Sequence, residues 1–134
     1  MQVLFVTDFS PIVTDASESR RFYVDTLGLP LEGEPPASKQ VPGAKHFGLW
    51  PLRDAARACF GTDEWPSHLP IPQANLEFEI MDVAAAAAEL EAKGYTLLHP
   101  TRTEPWGQTI VRLISPEGLI VGICYTPWFH DPAN

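Results

Sequence analysis

Five polar residues on two strand-like stretches could do chemistry in this 134-residue sequence: Asp8 and Ser10 in VLFVTDFSPIVTD, and Asn75, Glu77 and Glu79 in NLEFEIMD. In the second stretch Leu76, Phe78 and Ile80 alternate with Asn75, Glu77 and Glu79, the period-2 pattern of a strand with one apolar and one polar face. Carboxylates held on one such face attract cations, and if removed from water they rise in pKa toward the range of a general base. The same pattern also fits a sheet whose polar face simply meets solvent.

Other candidates surround these. Trp50, Trp65 and Trp106 supply flat rings that stack on planar ligands or attract cations, although a Trp beside Pro also serves as a plug under a loop. Arg112 would either reach an anionic substrate or pair with a carboxylate, depending on strand register. Nucleophilic catalysis has little support: Cys59 and Cys124 sit in apolar runs with no adjacent His or basic residue, and no glycine-bracketed serine is present. Both cysteines read as buried, reduced thiols. The histidines, His46, His68, His99 and His130, share no i, i+2 or i, i+4 spacing, so they read as solvated or hydrogen-bonded loop residues. Asp8 with Glu77 or Glu79 could still hold a hard cation loosely.

The elements that must position these groups are legible from caps and turns. Asp82 is an N-cap, VAAAAAELEAK a run of helix formers, and Gly94 a left-handed C-terminal cap. TIVRLISPEGLIVGICY reads as a hairpin turning at Ser115-Pro116-Glu117-Gly118. The same outline occurs earlier: Asp15 matches Asp82 at an offset of 67 residues and Gly28 matches Gly94 at 66, which implies two copies of one unit. The first strand is expected to be interrupted or bulged near Pro11, and Phe22, Tyr23 and Leu27 to form the apolar face of the first helix. Residues 32–43 read as a strand end and loop, HFGLWPL and ARACFG as two further strands, and the proline-rich 62–74 as a linker. The tail, TPWFHDPAN, either packs through Trp128 and Phe129 or frays.

With 45% hydrophobic residues the chain supports one core, hence one domain over 1–134: a first module 1–61, the linker 62–74, a second module 75–126 and a tail 127–134. The net charge of −8 argues against a nucleic-acid partner and is compatible with a cationic ligand. Met1 leads almost directly into the first strand, with no visible signal peptide or membrane span, so the expected location is cytoplasmic.

RRFYVDTLGLPL after the first strand, and EPWGQTIVRLISPEGLIVGICY after the second helix, resemble the vicinal-oxygen-chelate superfamily of glyoxalases, extradiol dioxygenases and bleomycin-resistance proteins, over nearly the whole chain. The resemblance implies an α+β fold in which two βαβββ modules form a curved mixed sheet around a cleft, as a homodimer. It also implies metal-ligand positions, which here fall on Asp8, Asn75 and Gly122, while the matching stretch 55–61 has no His or carboxylate. An aspartate, an amide and a glycine make a poor site for a catalytic divalent ion. Trp106-Gly107 matches a Trp-Gly of bleomycin-resistance-like members.

The function expected is metal-free and cofactor-free sequestration of a planar, cationic small molecule. Its ligand-binding set is Asp8, Ser10, Trp50, Trp65, Asn75, Glu77, Glu79, Trp106, Arg112 and Gly122. The alternatives are a glyoxalase- or dioxygenase-like enzyme with a nonstandard metal site, a cofactorless acid/base enzyme using Glu77 or Glu79, and a sensor module with a vestigial cleft. Neither a membrane nor a nucleic acid is expected as partner.

Overall fold

A computed structural model describes residues 1–130. The helices begin and end at their caps. Asp15 accepts from the Glu18 amide at the start of α1 (Ala16–Arg20), and Asp82 accepts from the Ala85 amide at the start of α3 (Val83–Ala92). α1 widens into a π-helical turn, Arg21–Thr26, before Gly28 at φ 73° releases the chain; Gly94 at φ 90° does the same after α3.

The strands are β1 (Phe5–Val13), β2 (Ala37–Ser38), β3 (Phe47–Gly48), β4 (Trp50–Pro51), β5 (Ala74–Glu79), β6 (Arg102–Thr103), β7 (Thr109–Ile114) and β8 (Ile120–Tyr125). They form a curved, mixed 8-stranded sheet in the order β2-β3-β1-β5-β8-β7-β6, with β4 also on β1. At its centre β1 and β5 run antiparallel, with Asp8 opposite Glu77 and Ser10 opposite Asn75. Each of these strands takes the closing strands of its own module in parallel: β8 beside β5, and β3 and β4 beside β1. This is the expected pair of βαβββ modules, joined through their first strands.

Two expectations are corrected. Residues 55–61 are not a strand; 55–60 belong to α2 (Leu52–Phe60), in which Ala55, Ala56 and Cys59 form a buried helical stripe, and Gly61 at φ 76° caps it. The closing strand of the first module is therefore HFGLWP, and the register of Phe9 with Phe47 and Ile12 with Trp50 sets Gly48 beside Ser10. The irregularity in β1 lies between Val6 and Asp8, while Pro11 stays in the ladder opposite Ala74. That shift buries Thr7 and Asp8 together, although they are consecutive.

The core sits on both faces of the sheet. α3 packs Val83, Ala86 and Ala87 onto Ile80, Val111, Leu113 and Ile123, while Val13, Leu31 and Leu49 fill the corresponding place in the first module. α2 crosses to the other face, where Ala55 and Cys59 meet Ile120 and close one end of the concavity. Each buried Val, Ile or Leu contributes roughly 1.5–3 kcal/mol, so these contacts hold the curvature that shapes the cleft. Among the described residues no helix is long and apolar enough to cross a membrane.

Candidate functional site

The concave face encloses a cleft of ≈ 690 Å³. Asp8, Ser10 and Glu77 line its floor, Trp50 and Trp106 its walls, and Trp128 and Phe129 reach it from the tail segment Pro127–Phe129. A ligand of drug-like size fits such a volume.

The floor is one hydrogen-bond network. Asn75 Nδ2 donates to Asp8 Oδ2 and to Glu77 Oε2, each at 3.0 Å. Ser10 Oγ donates to the same Asp8 oxygen at 2.7 Å, and His46 Nδ1 bonds its other oxygen. Glu77 Oε1 accepts from Gln108 Nε2 at 2.9 Å, and Gln108 in turn accepts from Trp106 Nε1 at 3.1 Å, which ties the rim to the floor. Gln108 and Thr126 flank β7 and β8 at one end of the sheet and bond each other at 3.1 Å.

Burial, reinforced by the Asp8 charge, pushes the Glu77 carboxyl above its ordinary value against the opposing effects of Gln108, Arg112 and Asn75. The hydrogen bond to Asp8 raises His46 despite partial burial. The thiols play no comparable part: burial pushes Cys59 up to about 11 and drives Cys124 higher still.

Arg112 is 1% exposed, lines the cleft and lies 5.8 Å from the Trp50 ring. It pairs with buried Glu104 at 3.2 Å, and Arg102 pairs with the same Glu104 oxygen at 2.5 Å. Burial opposes ionisation of Glu104, but the Arg102 hydrogen bond and the charge of Arg112 outweigh it and hold the carboxyl below its usual range. Both arginines also reach the Ala58 carbonyl near the end of α2.

The remaining expected residues are placed as follows. Asn75 and Gly122 lie beneath the floor. A Cβ on Gly122 would stand 2.8 Å from Ile110 Cδ1 and 2.9 Å from Glu77 Cγ, so the Glu77 stem occupies the space a side chain there would need. Glu79 shares the face but does not reach the cleft; it is fully buried, bonded to Thr7 Oγ1, the Thr126 amide and His130 Nε2. Glu77 and Glu79 are thus not the solvent side of a sheet. Trp65 is a correction: it packs edge-on against Phe60 and donates to the Pro70 carbonyl, outside the cleft.

The donor set does not suit a divalent ion. Asn75 turns its amino group, not its carbonyl, toward the two carboxylates, so the amide adds no oxygen ligand beside them. The closing-strand ligand positions are glycines in both modules, Gly122 and Gly48, and the described residues contain no cluster of three or more His, Cys, Asp or Glu able to hold a metal.

Thr7, Gln108, Thr126 and Glu104 are site residues that the sequence does not single out, and His46 and His99, read from sequence only as loop histidines, bond Asp8 and Arg112. The polar types of Gln108 and Thr126 at the ends of apolar strands are an available signal. His130 bonds Glu79 outside the cleft, whereas His68 is exposed.

The geometry has counterparts among solved structures. A glyoxalase/bleomycin resistance protein/dioxygenase superfamily member from Vibrio splendidus 12B01 superposes with TM-score 0.59 at 15% identity, covering 92% of this chain and 99% of that one. A variant of methylmalonyl-CoA epimerase from Streptomyces coelicolor, in complex with 2-nitronate-propionyl-CoA, does so with TM-score 0.57 at 16% identity, covering 93% and 99%. At such identities the likeness concerns the fold alone. No curated protein matches the chain. The glyoxalase-like domain family matches residues 6–126, nearly the whole chain, and this protein accordingly belongs to that family, within the vicinal-oxygen-chelate superfamily.

Proposed function

We propose that this chain is a small-molecule-binding protein of the bleomycin-resistance type, whose cleft takes a planar compound carrying a positive charge. The observation that carries the reading is the position of Glu77, a buried carboxylate on the cleft floor beneath the Trp50 and Trp106 walls. Each of its oxygens accepts one bond from the protein and keeps capacity for another, so a ligand cation can be received without dismantling the floor. Flat rings then hold the ligand body at small entropic cost. The test is a thermal-shift and calorimetric screen against cationic aromatic compounds, including those of the bleomycin type, with and without chelator. A rise in melting temperature that is insensitive to chelator supports the reading; stabilisation that requires a divalent ion sinks it.

A second reading, cofactorless proton transfer by Glu77, is favoured by one observation. Burial and the Asp8 charge raise its pKa, which is the direction that makes a carboxylate a better general base. Under this reading Glu77→Gln abolishes turnover of a carbon acid while ligand affinity survives; under the binding reading affinity for the cation falls.

A further inference from the structure

His46 meets the cleft floor with one ring nitrogen and keeps the other open. Nδ1 bonds Asp8 Oδ1 at 2.5 Å, and Nε2 makes no hydrogen bond among the described residues. That nitrogen is reachable. The side chain lines the cleft and is 39% exposed, and the enclosed polar atoms without a partner among the described residues are Asn75 Oδ1 and Arg112 Nε, so Nε2 meets open space.

The ring is held in place from both sides. The His46 carbonyl accepts from the Phe9 amide at 3.3 Å, which ties it to β1, and a Cβ on Gly48 would stand 3.4 Å from His46 Cε1, so the ring edge rests against that glycine. Asp8 is braced in turn, because its other oxygen accepts from Ser10 Oγ at 2.7 Å and from Asn75 Nδ2 at 3.0 Å. A fixed carboxylate that holds Nδ1–H leaves the Nε2 lone pair as the base.

The charges around the ring suit that role. The hydrogen bond to Asp8 raises its pKa, partial burial opposes this, the charges of Asp8 on β1 and Glu77 on β5 add to the rise, and Lys39, after β2, subtracts from it. Arg112, on β7, acts on Glu77. Glu77 is 8% exposed with both oxygens bonded, so His46 is the more accessible of the two proton carriers.

We propose that His46 is a catalytic base of the cleft, with Asp8 as its positioning residue, and that the substrate is a planar, conjugated carbon acid lying against Trp50 and Trp106. Nε2 takes the proton of an activated C–H, the bonding pair moves into the conjugated system, and the imidazolium returns the proton to another atom of that system. The product is an isomer, with nothing oxidised or reduced. The inference rests on the cleft being the binding site; it gives the proton to His46 in place of Glu77 and needs no charge on the ligand.

The probe is 5-nitrobenzisoxazole, a flat carbon acid. A base takes its ring C–H proton, the pair forms the nitrile, the N–O bond breaks and a coloured phenolate leaves. Turnover by the wild type should rise with pH to a plateau, with a midpoint above 6.5 that coincides with the His46 midpoint in an NMR titration of the same protein. His46→Gln should lower kcat by about 100-fold. Asp8→Asn should lower kcat and move the kinetic and NMR midpoints down together. Because either variant can disturb the floor, the coincidence of midpoints in the wild type is an independent readout, and a kinetic midpoint that does not follow His46 overturns the proposal. Turnover kept in His46→Gln and lost in Glu77→Gln gives the base to Glu77 and overturns it too. A thermal shift records binding of the probe separately. Binding without turnover overturns the dyad and leaves the cleft as a binding site; absence of both counts against the planar-ligand reading as well.

Discussion

Asp8 and Glu77 face each other across the β1–β5 ladder and are joined through one amide group, Asn75 Nδ2, 3.0 Å from an oxygen of each. Without it, two buried carboxylates would confront each other with fewer donors. Asn75→Ala should therefore destabilise the fold by about 2–3 kcal/mol, the cost of leaving buried acceptors short. The loss should grow with pH, because protonation of either carboxyl relieves the repulsion. Urea denaturation at two pH values measures both; a loss below about 0.5 kcal/mol, typical of a surface site, would show that the shared amide is dispensable.

The elements that fix their own ends are legible in the sequence. Asp15 and Asp82 cap through bonds to amides three residues away, and Gly28 and Gly94 take positive φ, so each signal is local. The polar face of β5 is legible for the same reason, because alternation alone sets it. α2 reads as a strand because ARACFG is too short and too apolar for its period to stand out, although Ala55, Ala56 and Cys59 do follow helical spacing. Thr7 is hidden by the register shift in β1, which turns consecutive residues inward. His46 meets Asp8, and Glu104 meets Arg112, through pairing that no local pattern encodes.

Stability should fall with rising pH through two groups of the floor. Glu77 has a raised folded pKa, so its contribution is full below the ordinary value of 4.5 and is lost as pH climbs through the folded value. His46 is also raised, so its contribution is full below 6.5 and is lost at higher pH, once the folded protein gives up the proton. Subtracting the His46→Asn profile from the wild type isolates the second part. The difference should be largest at about pH 5–6 and shrink toward about pH 8; a difference independent of pH would mean that the His46–Asp8 bond carries no charge.

Gly122 is held to glycine by its neighbours rather than by its backbone, since its Cβ would collide with Ile110 Cδ1 and Glu77 Cγ. Gly122→Ala should cost about 1–3 kcal/mol through overpacking and shift Glu77 from its bond to Gln108. Adding Ile110→Val removes one of the two colliding atoms and should restore part of the stability. A double variant no better than Gly122→Ala would place the strain at Glu77 alone.

Trp65 and Trp106 should separate stability from binding. Trp65 is wedged against Phe60 and bonds the Pro70 carbonyl, so Trp65→Ala should lower stability by about 3 kcal/mol and leave ligand affinity unchanged in the folded fraction. Trp106 is 53% exposed at the cleft, so Trp106→Ala should lose little stability but weaken an aromatic ligand by about 1 kcal/mol. Denaturation and calorimetry on both variants decide it, and equal losses of affinity would return Trp65 to the site.

Glu79 is a fully buried carboxylate whose only potentially cationic partner within ion-pair distance, among the described residues, is His130, 2.7 Å away and stacked on Tyr125 at 4.4 Å. The pair fastens the segment that carries Trp128 and Phe129 to the cleft. His130→Ala leaves the carboxylate with the Thr7 hydroxyl, the Thr126 amide and the weak Cys124 thiol donor, and should cost about 1–3 kcal/mol, less than a fully buried ion pair because His130 keeps some exposure. Ligand affinity should fall with it as the aromatic wall loosens. Glu79→Gln in the same background removes the unpaired charge, so the double variant should recover part of the loss. Strictly additive losses would show that His130 acts by stacking on Tyr125 alone, with no part in compensating the buried carboxylate.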